Sequence, residues 1–358
     1  MIWKYEAKKI VRHPMMWSLL GIFLVFNAFL LWTNIGEIGE ELQEAHEHIL
    51  EYGIDEAFYQ DSLSKYDTLD MVAIKELKQE MYQYNPTGSY RKFIDRRYET
   101  LNERVLEIVE DGEAEGIVYP GSVYRLHNKL YAKVLRWVFL EIGFLVIFAS
   151  LFLMDYERMN KTIAVTYIGN VGRKLQWIKW CTGMMIGIGF GIMVLGVTLF
   201  AWYRTIPYKD FWNTSVSAAL MTEPRGILTY PFITFHKMTI LQYLLATIAV
   251  GILLVVIIGM IAGVIQMLTN NSYVSFICMV LIFMTGLCIT GYSTESWFDI
   301  VLSWNPADMW YRIGNWFMEG NLVSNFEGAE MISAAVQAGV WGIFGRLAYQ
   351  KWMNQDLY

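Results

Sequence analysis

Few side chains in this 358-residue chain are spaced for catalysis. The five histidines, His13, His46, His48, His127 and His236, fall in interfacial or hydrophilic stretches. His46 and His48 stand two apart rather than the four that puts two ligands on one helix face, and no His-Glu-x-x-His occurs. A metal site is therefore not expected. Cys181, Cys278 and Cys288 all lie inside apolar segments and offer neither a disulfide framework nor a Cys-x-x-Cys pair. No Ser/His/Asp set or pair of carboxylates can be defended, and the basic residues lack the pattern of a nucleic-acid surface. A phosphate-binding loop of the form Gly-x4-Gly-Lys-Ser/Thr is also absent, since Gly169 to Lys174 is too short and lacks the hydroxyl that follows. The chain is expected neither to be an enzyme nor to bind a cofactor itself.

Two sets of polar residues remain. The first lies within apolar runs: Glu141, Asn27 and Gln266. An ionised carboxylate at mid-bilayer costs roughly 2.5–3.5 kcal/mol on insertion scales, so Glu141 must face protein or water. Counted from Trp137 it falls near one end of its run, which leaves a snorkelling glutamate and a substrate-path role both open. Asn27 and Gln266 are weaker path candidates of a type that often glues helices together. The second set is the stretch 155–179, with Arg158, Lys161, Arg173, Lys174 and Lys179 against Asp155 and Glu157. Such a bias holds a connection on the cytosolic side of a bilayer. An apolar stripe at Ile163 and Tyr167 and the Gly169 to Gly172 break predict a short helix and its stop.

The elements that position these residues follow from hydropathy. With 55% hydrophobic and 17% charged residues, the chain is too apolar for one soluble core and reads as an all-α polytopic membrane protein. Six spans are expected, at 15–35, 134–154, 180–201, 240–268, 273–292 and 331–350. Residues 1–14 read as a basic amphipathic interfacial helix, and the absence of a small-x-small site after Trp32 predicts an uncleaved anchor. Many tryptophans, Trp17, Trp32, Trp137, Trp177, Trp180 and Trp202 among them, mark span ends at the lipid headgroups.

Residues 36–133 form a large hydrophilic insertion. From Gly36 to Arg136 acids outnumber bases 21 to 12, which places the stretch outside as a solvated helical domain. Ile38, Leu42, Ala45 and Ile49, and again Ile94, Tyr98, Leu101, Val105 and Ile108, recur at heptad-like steps, with a turn at Asn85-Pro86-Thr87-Gly88 and a stop between Gly112 and Gly121. Residues 202–239 are an outer connection, and 269–272 a tight turn. Residues 293–330, acidic and rich in Trp and Phe, are expected as short interfacial helices broken at Asn305-Pro306. Gly183, Gly187 and Gly191 at four-residue spacing, and Gly259 with Gly263, predict close helix approach, either within the chain or across a dimer seam. With 351–358 as a cytosolic tail, six spans place both termini in the cytosol.

This organisation resembles the membrane-spanning permease of the second type of ATP-binding-cassette exporter. The matching features are the basic segment Lys4 to Arg12, the insertion after span one, Asp155-Tyr156-Glu157-Arg158 followed by a short helix and Arg173-Lys174, Asn305-Pro306, and the tail from Lys351 to Leu357. Met159-Asn160-Lys161-Thr162 and Ile168-Gly169-Asn170 depart from the family's usual residues at their positions. The resemblance implies a bacterial cytoplasmic membrane and a complex of two permease chains, identical or homologous, with two cytosolic ATPase subunits that hold ATP and Mg. It also implies an ATPase contact at or beside Asp155, Glu157, Arg158, Lys161, Arg173 and Lys174. The alternative reading is a membrane receptor or immunity-type protein whose outer domain binds a peptide without transport.

Overall fold

A computed structural model describes residues 2–52, 56–116, 126–168, 172–206, 212–219, 221–225, 228–289, 292–319 and 324–354. Within them the regular elements are helices apart from one antiparallel hairpin, β1 (Thr222–Arg225) with β2 (Leu228–Pro231). Side chains of 37–55 lie outside the description, and with them the Ile38-to-Ile49 seam. The Gly169 break, the Tyr167 side chain, Gly121 and the last four residues of the tail do so as well.

Among the described residues, six helical stretches are long and apolar enough to cross a membrane. Span one belongs to α2 (Pro14–Tyr52), which follows the amphipathic α1 (Ile2–Val11). The apolar stretch ends at Gly36, within a residue of the expected 15–35, but the helix does not: an isolated glycine costs a helix only about 1 kcal/mol and no proline follows, so the helix runs on into the insertion for 39 residues in all. Span two opens as a π-helix (Asn128–Leu135) and continues as α6 (Arg136–Met159). After the short α7 (Ile163–Ile168), span three is α8 (Leu175–Thr205), and Asp155, Glu157, Arg158 and Lys179 are helical rather than part of a loop. Spans four to six are α9 (Ile240–Thr269), α10 (Ser272–Ile289) and α13 (Ala329–Met353).

The tight turn between α9 and α10 is explained by its asparagines. Asn270 ends α9 in the left-handed region at φ 55°, and the Asn271 side chain accepts from the Tyr273 and Val274 amides at 2.9 and 3.2 Å to start α10. Spans two and four form the centre of the bundle; one, five and six turn much of their apolar surface outward.

The insertion contributes α3 (Glu56–Asp67), α4 (Met71–Met81) and α5 (Gly88–Glu110). Ile94, Tyr98, Leu101, Val105 and Ile108 are all buried, as the heptad step requires of one face. They do not close on their own hairpin alone. Their core includes Ala219, Tyr230 and Ile233 from the connection after span three and Ile300 from α11 (Phe298–Ser303). Three segments far apart in sequence thus make one body, tied by Phe235 N to Phe317 O at 3.2 Å and Glu319 N to Ile233 O at 2.8 Å.

This corrects two expectations. The aromatic segment does form short helices that break at Asn305-Pro306, where Asn305 caps α12 (Pro306–Tyr311), and Trp297 and Phe298 are exposed, but Trp310, Trp316 and Phe317 pack inside the protein. The acids of these segments are not simply solvated: Asp299, Asp308, Glu319, Glu330 and Glu113 are buried and partnered. Glu319 accepts from Lys78 at 2.7 Å, Tyr98 at 3.1 Å and Tyr230 at 2.6 Å, and Glu113 takes both oxygens to Arg104 at 2.9 Å. Burying a carboxylate is tolerable only with such donors.

Candidate functional site

Opposite the insertion, at the face that carries the short α7, four charges from three elements meet. Lys9 of α1 donates to Glu6 at 2.6 Å and to Glu157 of α6 at 2.8 Å. Lys179 of α8, fully buried, pairs with the other Glu157 oxygen, lies 3.8 Å from Glu6, and donates to the Leu153 carbonyl at 3.1 Å. The ring of Tyr156 lies against both lysines, 4.8 Å from Lys9. Two cations and two anions cancel, which makes the burial affordable, and the amphipathic helix is thereby fastened to the end of span two and the start of span three.

Neighbouring residues extend the same junction. Asp155 accepts from the Ser272 amide at 3.4 Å, at the start of span five. Arg173 donates to the Met353 carbonyl at 2.6 Å, at the C-terminal end of span six, where the helix dipole favours a cation. Gln176 donates to the Met154 carbonyl at 3.2 Å. The base of the 155–179 connection therefore grips α1 and spans two, three, five and six.

The six residues expected at an ATPase contact divide accordingly. Asp155 and Glu157 face inward, and Arg173 reaches the end of span six, so these three hold the junction together rather than presenting a surface. Arg158, Lys161 and Lys174 are exposed, as is Val165 of α7. Lys161 sits in the left-handed region at φ 55°, turning the chain from α6 into α7.

The three path candidates also separate. Asn27 and Glu141 meet: the Asn27 amide donates to Glu141 at 2.7 Å, and both residues are buried between spans one and two. Glu141 therefore does not snorkel to a surface. Its second oxygen and the Asn27 carbonyl have no hydrogen-bond partner among the described residues. Gln266 stands apart near the loop face, accepting from Ser275 at 2.7 Å and so joining spans four and five.

The glycine faces lie within the chain. A Cβ at Gly183 would stand 2.6 Å from Ser150 Cα, one at Gly187 2.5 Å from Val146 Cα, and one at Gly191 would strike Ile142. Gly259 likewise faces Val146 and Met184, and Gly263 faces the Trp180 indole, whose nitrogen donates to the Gly259 carbonyl at 3.0 Å. Spans two, three and four approach closely because these positions have no side chain.

Sequence reasoning missed His127. It is buried just before the π-helix, ringed by Tyr131, Phe232 and Tyr243, and its Nε2 donates to the Gly314 carbonyl at 2.8 Å. Burial pushes its pKa down to about 4, the carbonyl contact opposing, so it is neutral at pH 7. The Glu6–Lys9 contribution was missed as well; the signal was Lys179 itself, a lysine inside Trp-Ile-Lys-Trp at the mouth of a span, which needs an anion from somewhere. Among the described residues no three His, Cys, Asp or Glu side chains are grouped so as to share a metal ion.

Compared with models of known protein families, with curated proteins and with solved structures, the chain matches none of the three.

Proposed function

We propose that this multi-pass membrane protein is the permease subunit of an ATP-binding-cassette exporter of the second type, moving a peptide, lipid-like or drug-like substrate out of the cell. A separate cytosolic ATPase, present in two copies with ATP and Mg bound to it, supplies the energy, and a second permease chain completes the complex. The observation that carries this reading is the junction of Glu6, Lys9, Glu157 and Lys179. A permease whose sequence carries no Gly-x4-Gly-Lys-Ser/Thr loop would receive its force from a partner. A short exposed helix whose base is locked to an amphipathic helix and several spans can pass a partner's movement to them as a lever. Arg158, Lys161 and Lys174 give that exposed segment the charge to meet an acidic partner surface.

The test is mild-detergent purification of the tagged chain from its native host, mass spectrometry of what accompanies it, and an ATPase assay on the eluate. A stoichiometric ATPase subunit with measurable hydrolysis is the expected result. A chain that elutes alone without hydrolysis would transfer the argument to the receptor reading.

A further inference from the structure

A groove of about 250 Å³ opens between spans two, four and five, lined by Phe139 and Phe144 of α6, Ile258 of α9 and Phe283 of α10 and closed toward the insertion by Trp310. Its walls are almost wholly apolar. Val280 and Met284, also on its wall, are exposed, so it opens sideways to the medium around the bundle. At the depth of three spans that medium is the hydrocarbon of a bilayer.

Beside Trp310, outside the groove's own lining, stands a cation. Arg136 precedes Phe139 and Leu140 by three and four residues, which puts all three on one helix face, and its carbonyl accepts from the Trp310 indole at 2.7 Å. The guanidinium lies over the Tyr311 ring, 4.8 Å from its centre. Its Nε is buried without a hydrogen-bond partner, and no carboxylate pairs with Arg136 among the described residues. Arg104, buried on the same side of the molecule, has Glu113 on it. An arginine inside span two, just after its π-helical opening and with donors unspent, is a ready partner for phosphate, which its planar fork matches better than a lysine would.

We infer that this groove is a phospholipid site, with an acyl chain between spans two, four and five and the lipid phosphate on Arg136. Charge complementarity at one end and apolarity along the rest select an anionic membrane phospholipid over a free phosphate or a neutral lipid. The site is independent of the export reading and would stand in a receptor equally.

The test uses the full chain in detergent, stripped of lipid, with native mass spectrometry counting bound lipid. The probes are dioleoylphosphatidylglycerol, dioleoylglycerol and inorganic phosphate. Phosphatidylglycerol is expected to bind, with dioleoylglycerol and phosphate each at least about tenfold weaker. Arg136→Gln should weaken phosphatidylglycerol by a similar factor and Arg136→Lys by less. Gly143→Leu, filling the groove with Arg136 intact, should abolish binding while the protein stays monodisperse. Equal retention of dioleoylglycerol and phosphatidylglycerol by the unaltered chain would overturn the proposal. So would Arg136→Gln holding phosphatidylglycerol as tightly as the parent; the first comparison needs no variant and is immune to misfolding.

Discussion

Lys179 cannot be read as one more loop lysine, because it has no exposed surface and its charge is matched by the buried carboxylates of Glu157 and Glu6. Removing one member of a buried pair strands the other. Lys179→Met should lower the unfolding free energy by about 3 kcal/mol, and adding Glu157→Gln should recover part of the loss. A double-mutant cycle on thermal unfolding in detergent measures this, and additive losses would contradict it. His127 sets a second residue-scale expectation. Its folded pKa, about 4, lies below the ordinary histidine value near 6.5, so the unfolded chain takes up the proton first as pH falls. The stability contribution is whole above about pH 6.5 and declines toward pH 4, by about 2 kcal/mol between pH 7 and pH 5. His127→Phe should flatten that part of the stability-against-pH curve; an unchanged slope would remove His127 from the account. At this scale the sequence was partly legible: Glu141 and Asn27 stood out singly as polar residues in apolar runs, but that they face each other at 2.7 Å depends on how spans one and two rotate.

Among elements, the spans were the most legible, since about twenty apolar residues have few other uses. The seam from Ile94 to Ile108 was legible for the same kind of reason, one face repeating at the helical period. Helix ends were less so. Gly36 marked the end of span one because hydropathy falls there, but the helix itself continues to Tyr52, since a fall in hydropathy does not remove backbone hydrogen bonds. The glycines of span three gave their spacing but not their partner, which proves to be span two. Gly187→Leu should therefore disrupt the chain's own bundle: with Val146 Cα 2.5 Å from where its Cβ would stand, an overpacking loss of about 3 kcal/mol is expected. A lower thermal midpoint of the purified subunit is the readout. An unchanged midpoint with a loss of higher-order assembly would mean that this face meets another chain.

On the scale of the whole molecule, the two ends of the bundle are built differently. Toward the insertion, residues from α5, the connection after span three and the segment before span six share one core, with buried carboxylates such as Glu319 pinned by donors from each. No pattern within a single segment could have announced that, because the acids look solvated until their distant partners arrive. Toward the loop, buried charges lock the framework while Arg158, Lys161 and Lys174 are left outside. This division between a locked base and an exposed cationic segment is the central claim. The most direct measurement is the stoichiometry of any ATPase subunit that co-purifies with the parent chain and with Arg158→Ala/Lys161→Ala/Lys174→Ala, with the thermal midpoint of each recorded alongside; the proposed function requires one on the parent. The account predicts that the triple variant folds with an unchanged midpoint and loses the ATPase. The same ATPase stoichiometry in both would contradict it.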